Sequence, residues 1–108
     1  MGLFDFLKSK RPDITAAAAN MKNEPGARLV DVREPDEYAA GHIPGSINLP
    51  LGTLPASGRG VLGKNAPVYV YCLGGSRSGR AAEILKADGY TNVINLGGIR
   101  SYRGKLER

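Results

Sequence analysis

The chain has 108 residues, a single cysteine, and 15 Lys and Arg against 10 Asp and Glu, for a net charge of +5. That length suits one domain burying roughly 65% of the surface its unfolded chain exposes, enough for a core without metal or disulfide support. One cysteine excludes an intramolecular disulfide and points to a reducing compartment, so a cytoplasmic location is expected. The positive balance favours anionic partners, but there is no dense basic run and no nucleic-acid-binding module. Small anions are therefore expected, and nucleic acid is not. No apolar run approaches the ~20 residues of a transmembrane helix, and the N-terminus lacks the basic and long apolar regions of a signal peptide.

Residues 1–11 differ in composition from the rest, and 12–108 are read as the domain. Leu3, Phe4, Phe6 and Leu7 precede Lys8, Lys10 and Arg11. A packed or frayed turn is preferred there over an amphipathic membrane anchor, because one or two turns bury little area. Phe6 also occupies the place where a myristoylation motif needs Ser or Thr. Ala16 to Lys22 predicts a helix capped by Asp13 or Thr15 and ended by Asn23-Glu24-Pro25-Gly26. Ala27 to Val32 reads as a strand with Arg33 just past its end. Glu34 to Ala40 suits a short helix, with Pro35 near its first position and Asp36 and Glu37 at the positive end of its dipole.

Gly41 to Pro50 reads as loop, short strand, loop. Residues 51–66, with Pro55, Gly58, Gly60 and Gly63, are expected to be irregular and surface-exposed. Pro67 to Tyr71 is the second clear strand, in which Tyr69 and Tyr71 alternate with Val68 and Val70 as core or rim residues. Ser78 to Asp88 is the clearest helix, placing Ala81, Ile84 and Leu85 at i, i+3 and i+4. Thr91 to Asn95 is a third strand, and Gly97-Gly98 is expected to open a last turn through Tyr102. Strands and helices in alternation imply parallel strands joined by right-handed crossovers, with a site at the strands' C-terminal ends. Asp31, Arg33 and Cys72 fall there.

Cys72 closes an apolar run and opens Leu73-Gly74-Gly75-Ser76-Arg77-Ser78. Thiolate, not thiol, is the nucleophile, and a free cysteine near ~8.5 is mostly protonated at neutral pH. Three features favour the anion. The glycines let successive backbone N–H groups turn inward, the following helix offers its positive end, and Arg77 adds a charge that cannot be neutralised. A lone cysteine is often only a small buried hydrophobe. This loop and helix together favour a nucleophile in an anion cradle.

With these residues in view, the chain resembles the rhodanese family of sulfurtransferases over nearly its whole length. Leu29-Val30-Asp31-Val32-Arg33-Glu34, Glu37-Tyr38 and Gly41 to Pro50 are similar to the family's first conserved region. Tyr71 to Ser78 resembles its active-site loop, and Leu96-Gly97-Gly98-Ile99 with Tyr102 its C-terminal signature. The resemblance implies a single-domain α/β fold: a three-layer α/β/α sandwich with a central, mainly parallel sheet of about five strands. It implies that Cys72 takes sulfane sulfur from a donor such as thiosulfate, forms a persulfide, and passes the sulfur to a thiol or protein acceptor. Leu73, Gly74, Gly75, Ser76, Arg77 and Ser78 would form the anion-binding loop, with Arg77 as its side-chain contact.

Family precedent also separates two chemistries. Sulfur-transferring members have a six-residue loop, as here from Cys72 to Arg77; the related phosphatases and arsenate reductases carry arginine one position later, where this chain has Ser78. Leu73 departs from the many members with a basic residue after the cysteine, which bears on donor preference and rate. Asp31 and Arg33 are expected to form a structural ion pair, and His42, the only histidine, to be a structural hydrogen-bonding residue. Sulfur transfer to an ionised thiolate needs no base. One Cys and one His do not make a zinc set, so no metal or cofactor is expected. A monomer is expected. The readings kept beside the enzyme are a slow or non-catalytic persulfide carrier that binds a partner and, disfavoured by loop length, a phosphatase or arsenate reductase.

Overall fold

The computed structural model describes residues 12–108; the turn or anchor considered for 1–11 lies outside them. Helix α1 (Ile14–Asn20) is Ala-rich, and Asp13 caps it by accepting the Ala16 N–H at 2.9 Å. Strand β1 (Arg28–Asp31), helix α2 (Pro35–Ala40) and strand β2 (Ser46–Asn48) follow. Strand β3 (Val68–Cys72), helix α3 (Ser76–Ala87) and strand β4 (Val93–Gly98) complete the order.

The four strands form one parallel sheet in the order β2-β1-β3-β4. About five strands were expected from the resemblance, and among the described residues there are four. The Ala-rich segment before β1 is helical, and the Pro- and Gly-rich stretch after β2 folds into 3-10 turns at Leu51–Thr53 and Ala56–Gly58, so neither adds a strand. Among the described residues, the one further pairing is an isolated antiparallel bridge between His42 and Glu107.

Side chains alternate across a strand, and the core divides accordingly. Val68, Val70 and Cys72 face α3 with Ala81 and Leu85. Tyr69 and Tyr71 face the other side, toward α1 and Ile14. The stretch after β2 is less exposed than its composition suggests: Leu62 is buried, and Leu51 and Leu54 pack on the α3-side core. Among the described residues, no helix is long and apolar enough to cross a membrane.

Candidate active site

Alternation along β3 decides where the sulfur points. Cys72 continues the Val68 and Val70 face, so its side chain lies under the first turn of α3 and is 1% exposed. The turn that follows is tight. Gly75 takes φ 116°, a left-handed value that favours glycine, and serves as the N-cap of α3. This brings the Gly75 N–H to 3.0 Å from Cys72 Sγ. Ser78 Oγ lies 3.4 Å from the same sulfur, 3.0 Å from the Gly75 carbonyl and 3.3 Å from the Gly97 carbonyl. A hydroxyl has one proton and two lone pairs, so Ser78 accepts from the thiol or donates to the thiolate as the sulfur's charge changes.

These contacts govern the acidity of Cys72. Burial by itself pushes the thiol up. Hydrogen bonds from the Ser78 hydroxyl, then from the backbone N–H groups of Ser78, Gly75 and Arg77, more than offset it, and the net direction is down. The sulfur sits where the unpaired N–H groups of a helix start converge, an arrangement that favours a thiolate.

β4 supports the loop from below. Gly97 has φ 88°, and the β3–β4 register shifts between Val70 and Tyr71, so the strand continues through the glycine pair where a turn was expected. At Gly98 a Cβ would lie 2.3 Å from the Leu73 carbonyl oxygen and 2.7 Å from Gly74 Cα. Only glycine lets β4 approach the sulfur loop this closely. On the α1 side, a cavity of about 400 Å³ touches the loop at Leu73 and Gly74 and has Arg100 on its wall.

Arg77 is already engaged. Its Nη1 and Nη2 donate to Glu37 Oε1 and Oε2 of α2 at 2.7 and 3.1 Å. Glu37 Oε1 also accepts the Glu34 N–H at 3.0 Å, half of a capping box at the start of α2. Hydrogen bonds from Arg77, then from the Glu34 N–H, hold the Glu37 carboxyl down at about 2. In the sequence, Glu37 stands out as a residue of a helix start and of the first segment similar to the family, not as a partner of Arg77. Its pairing with Arg77 spans 40 positions, and no local pattern signals it.

Asp31, Arg33 and His42 lie beside this centre rather than in it. Arg33 Nη2 donates to Asp31 Oδ2 and to the Gly41 carbonyl, both at 2.7 Å, and Arg33 Nε lies 3.0 Å from Asp31 Oδ1. The His42 ring stacks on Tyr38 at 3.8 Å between centroids, and its Nδ1 donates to the Tyr38 carbonyl at 2.9 Å. On the other face of β3, the buried Tyr71 hydroxyl accepts the Ile43 N–H and pairs with Ser46 Oγ, both at 3.1 Å, tying the loop before β2 to the site strand.

Comparison with known proteins agrees with this fold. The rhodanese-like domain family model matches residues 15–105. The chain is 44% identical over 82 residues to the uncharacterized protein YqhL of Bacillus subtilis, covering 75% of this chain and 64% of YqhL. It is 36% identical over 102 residues to the putative sulfur carrier protein YrkF of the same organism, covering 92% of this chain and 55% of YrkF. The chain thus spans less than two thirds of the length of these two relatives. It is 44% identical over 72 residues to the thiosulfate sulfurtransferase PspE of Escherichia coli, covering 66% of this chain and 69% of PspE. Among solved structures, a rhodanese with anions from E. coli superposes with a TM-score of 0.69 at 38% identity, covering 76% of this chain and 98% of that one.

Proposed function

The chain belongs to the rhodanese-like domain family, and from that premise we propose that it moves sulfane sulfur through a persulfide on Cys72. The observation that carries the reading is the sulfur itself: a buried Cys72 Sγ at the start of α3, 3.0 Å from the Gly75 N–H and 3.4 Å from the Ser78 hydroxyl.

In the first step the Cys72 thiolate attacks the outer sulfur of a donor such as thiosulfate. The new S–S bond forms as the donor's own S–S bond breaks, and sulfite leaves with the bonding pair. The terminal persulfide sulfur keeps the negative charge it bore in the donor, and the charge that the thiolate brought leaves with sulfite. In the second step an acceptor thiolate attacks that terminal sulfur, leaves as a persulfide, and returns Cys72 as thiolate. Neither step needs an oxidant, a metal or a general base. The N–H groups at the head of α3 serve both anions, since a persulfide places its charge one bond further out along the same direction. Small anionic sulfur donors and thiol or protein acceptors are the proposed partners.

Steady-state assay tests the reading. With thiosulfate as donor and cyanide as acceptor, thiocyanate is expected over many turnovers, and Cys72→Ser should abolish it. Formation of a single equivalent, with no turnover for cyanide or a thiol, would favour a carrier. Orthophosphate release from an aryl phosphate would favour the phosphatase reading.

A further inference from the structure

We infer that Glu37 sets the donor preference of the Cys72 site: by occupying Arg77, it biases the loop toward sulfane donors of low charge and against the thiosulfate dianion. The inference rests on the sulfur-transfer reading and names the donor class within it.

The geometry makes Arg77 a poor free anion site. Both ends of its fork are taken by one carboxylate, the bidentate arrangement that best satisfies a guanidinium. Glu37 is held for this task from two directions, since its Oε1 accepts the Glu34 N–H as well. The charge of Glu34 also acts on Arg77, so two carboxylates stand against one guanidinium on this side of the loop. Leu73 brings no charge, and Arg33 is committed to Asp31 and the Gly41 carbonyl. Arg100 stands on the other side of the loop, on the cavity wall with Leu73 and Gly74.

An incoming dianion must therefore displace or crowd Glu37 to reach Arg77. The pair is one-third exposed (side-chain exposures of 32% and 29%), where such contacts are weak enough to compete for. A donor with one charge or none loses less by leaving Glu37 in place. Alkyl persulfides and alkanethiosulfonate monoanions carry the same transferable sulfur and fit that description. Glu37 acts through Arg77 and touches no reacting atom, so its role is positioning.

The test compares kcat/KM for thiosulfate and for methanethiosulfonate, which differ by one charge on the leaving group, in the native chain and in Glu37→Gln. Glutamine keeps an oxygen for the Glu34 N–H, so the start of α2 is retained. The thiosulfate-to-thiosulfonate ratio should rise about fivefold in Glu37→Gln, through KM rather than kcat, and the gain should shrink with added salt. Asp36→Asn removes the same charge from an exposed neighbour on α2 and should leave the ratio unchanged. An unchanged or falling ratio in Glu37→Gln overturns the inference, as does an equal rise in Asp36→Asn. So does a shift produced by Arg100→Gln but not by Glu37→Gln. If neither donor leaves sulfur on Cys72 in the native chain, the sulfur-transfer reading itself fails, and intact mass separates that outcome from the others.

Discussion

Two arginine–carboxylate pairs stand at the C-terminal ends of adjacent parallel strands, and they differ in one respect that decides their use. Arg33–Asp31, at the end of β1, closes at 2.7 Å with side chains 6% and 0% exposed. Arg77–Glu37, after β3, closes at the same 2.7 Å with side chains 32% and 29% exposed. The bond lengths match, but the water does not. The first pair joins neighbours two positions apart and is sealed by the Gly41 carbonyl. The second joins α2 to the sulfur loop, where solvent reaches it. Equal geometry thus produces a brace in one place and a contact open to competition in the other.

The sharpest way to break this contrast is Arg33→Ala. It strands a fully buried Asp31 carboxylate, which typically costs about 3–5 kcal/mol, and urea unfolding should show most of that loss. A loss below about 1 kcal/mol would mean that the β1 pair is no more a brace than the β3 pair. Gly98→Ala comes next. Its Cβ would fall on the Leu73 carbonyl, so the loop must shift at a cost of about 1–3 kcal/mol, with reactivity at Cys72 falling alongside stability. Unaltered reactivity would show that β4 does not shape the loop.

Ser78→Ala should leave the fold nearly intact and act on the sulfur. Hydrogen bonds to charged groups are worth about 1.5–3 kcal/mol, so alkylation of Cys72 at neutral pH should slow by about tenfold or more. Its pH profile should move up, toward that of an ordinary thiol. A profile unchanged from the native chain would remove Ser78 from the thiolate's support.

The smallest effect belongs to Glu37. Its folded carboxyl sits at about 2, below the ordinary 4.5, so its contribution to stability is complete above pH 4.5 and fades as pH falls toward 2. The native chain and Glu37→Gln should therefore differ in the unfolding free energy from urea titration at neutral pH, by under about 1 kcal/mol, and converge across that window. A gap that persists at pH 2 would place the stabilisation elsewhere.

Local patterns made much of the scaffold legible. β-branched and aromatic runs marked β1 and β3, alanine marked α1, and helical spacing of Ala81 and Leu85 marked α3. Sequence alone ends the strand that starts at Thr91 with Asn95, short of the Gly98 end of β4, because Gly97-Gly98 carries the composition of a turn. Its reason for glycine, the approach of the Leu73 carbonyl, comes from another strand's loop. The 51–66 stretch reads as surface because its Gly and Pro signal irregular backbone, yet irregular backbone can still cover a sheet, as the buried Leu62 does. The fifth strand came from the resemblance, whereas the strand-like runs themselves numbered four, as the sheet does. At the site, the sulfur and its loop could be read from a contiguous stretch. The partner of Arg77 could not, because a contact between Glu37 and a residue 40 positions later is made by the crossover and not by either segment.

The most direct measurement is an intact mass of the reduced chain after incubation with thiosulfate, and in parallel with methanethiosulfonate. A gain of one sulfur atom is expected, removed by cyanide and absent in Cys72→Ser. No gain from either donor, or a gain that survives in Cys72→Ser, would contradict a persulfide on Cys72.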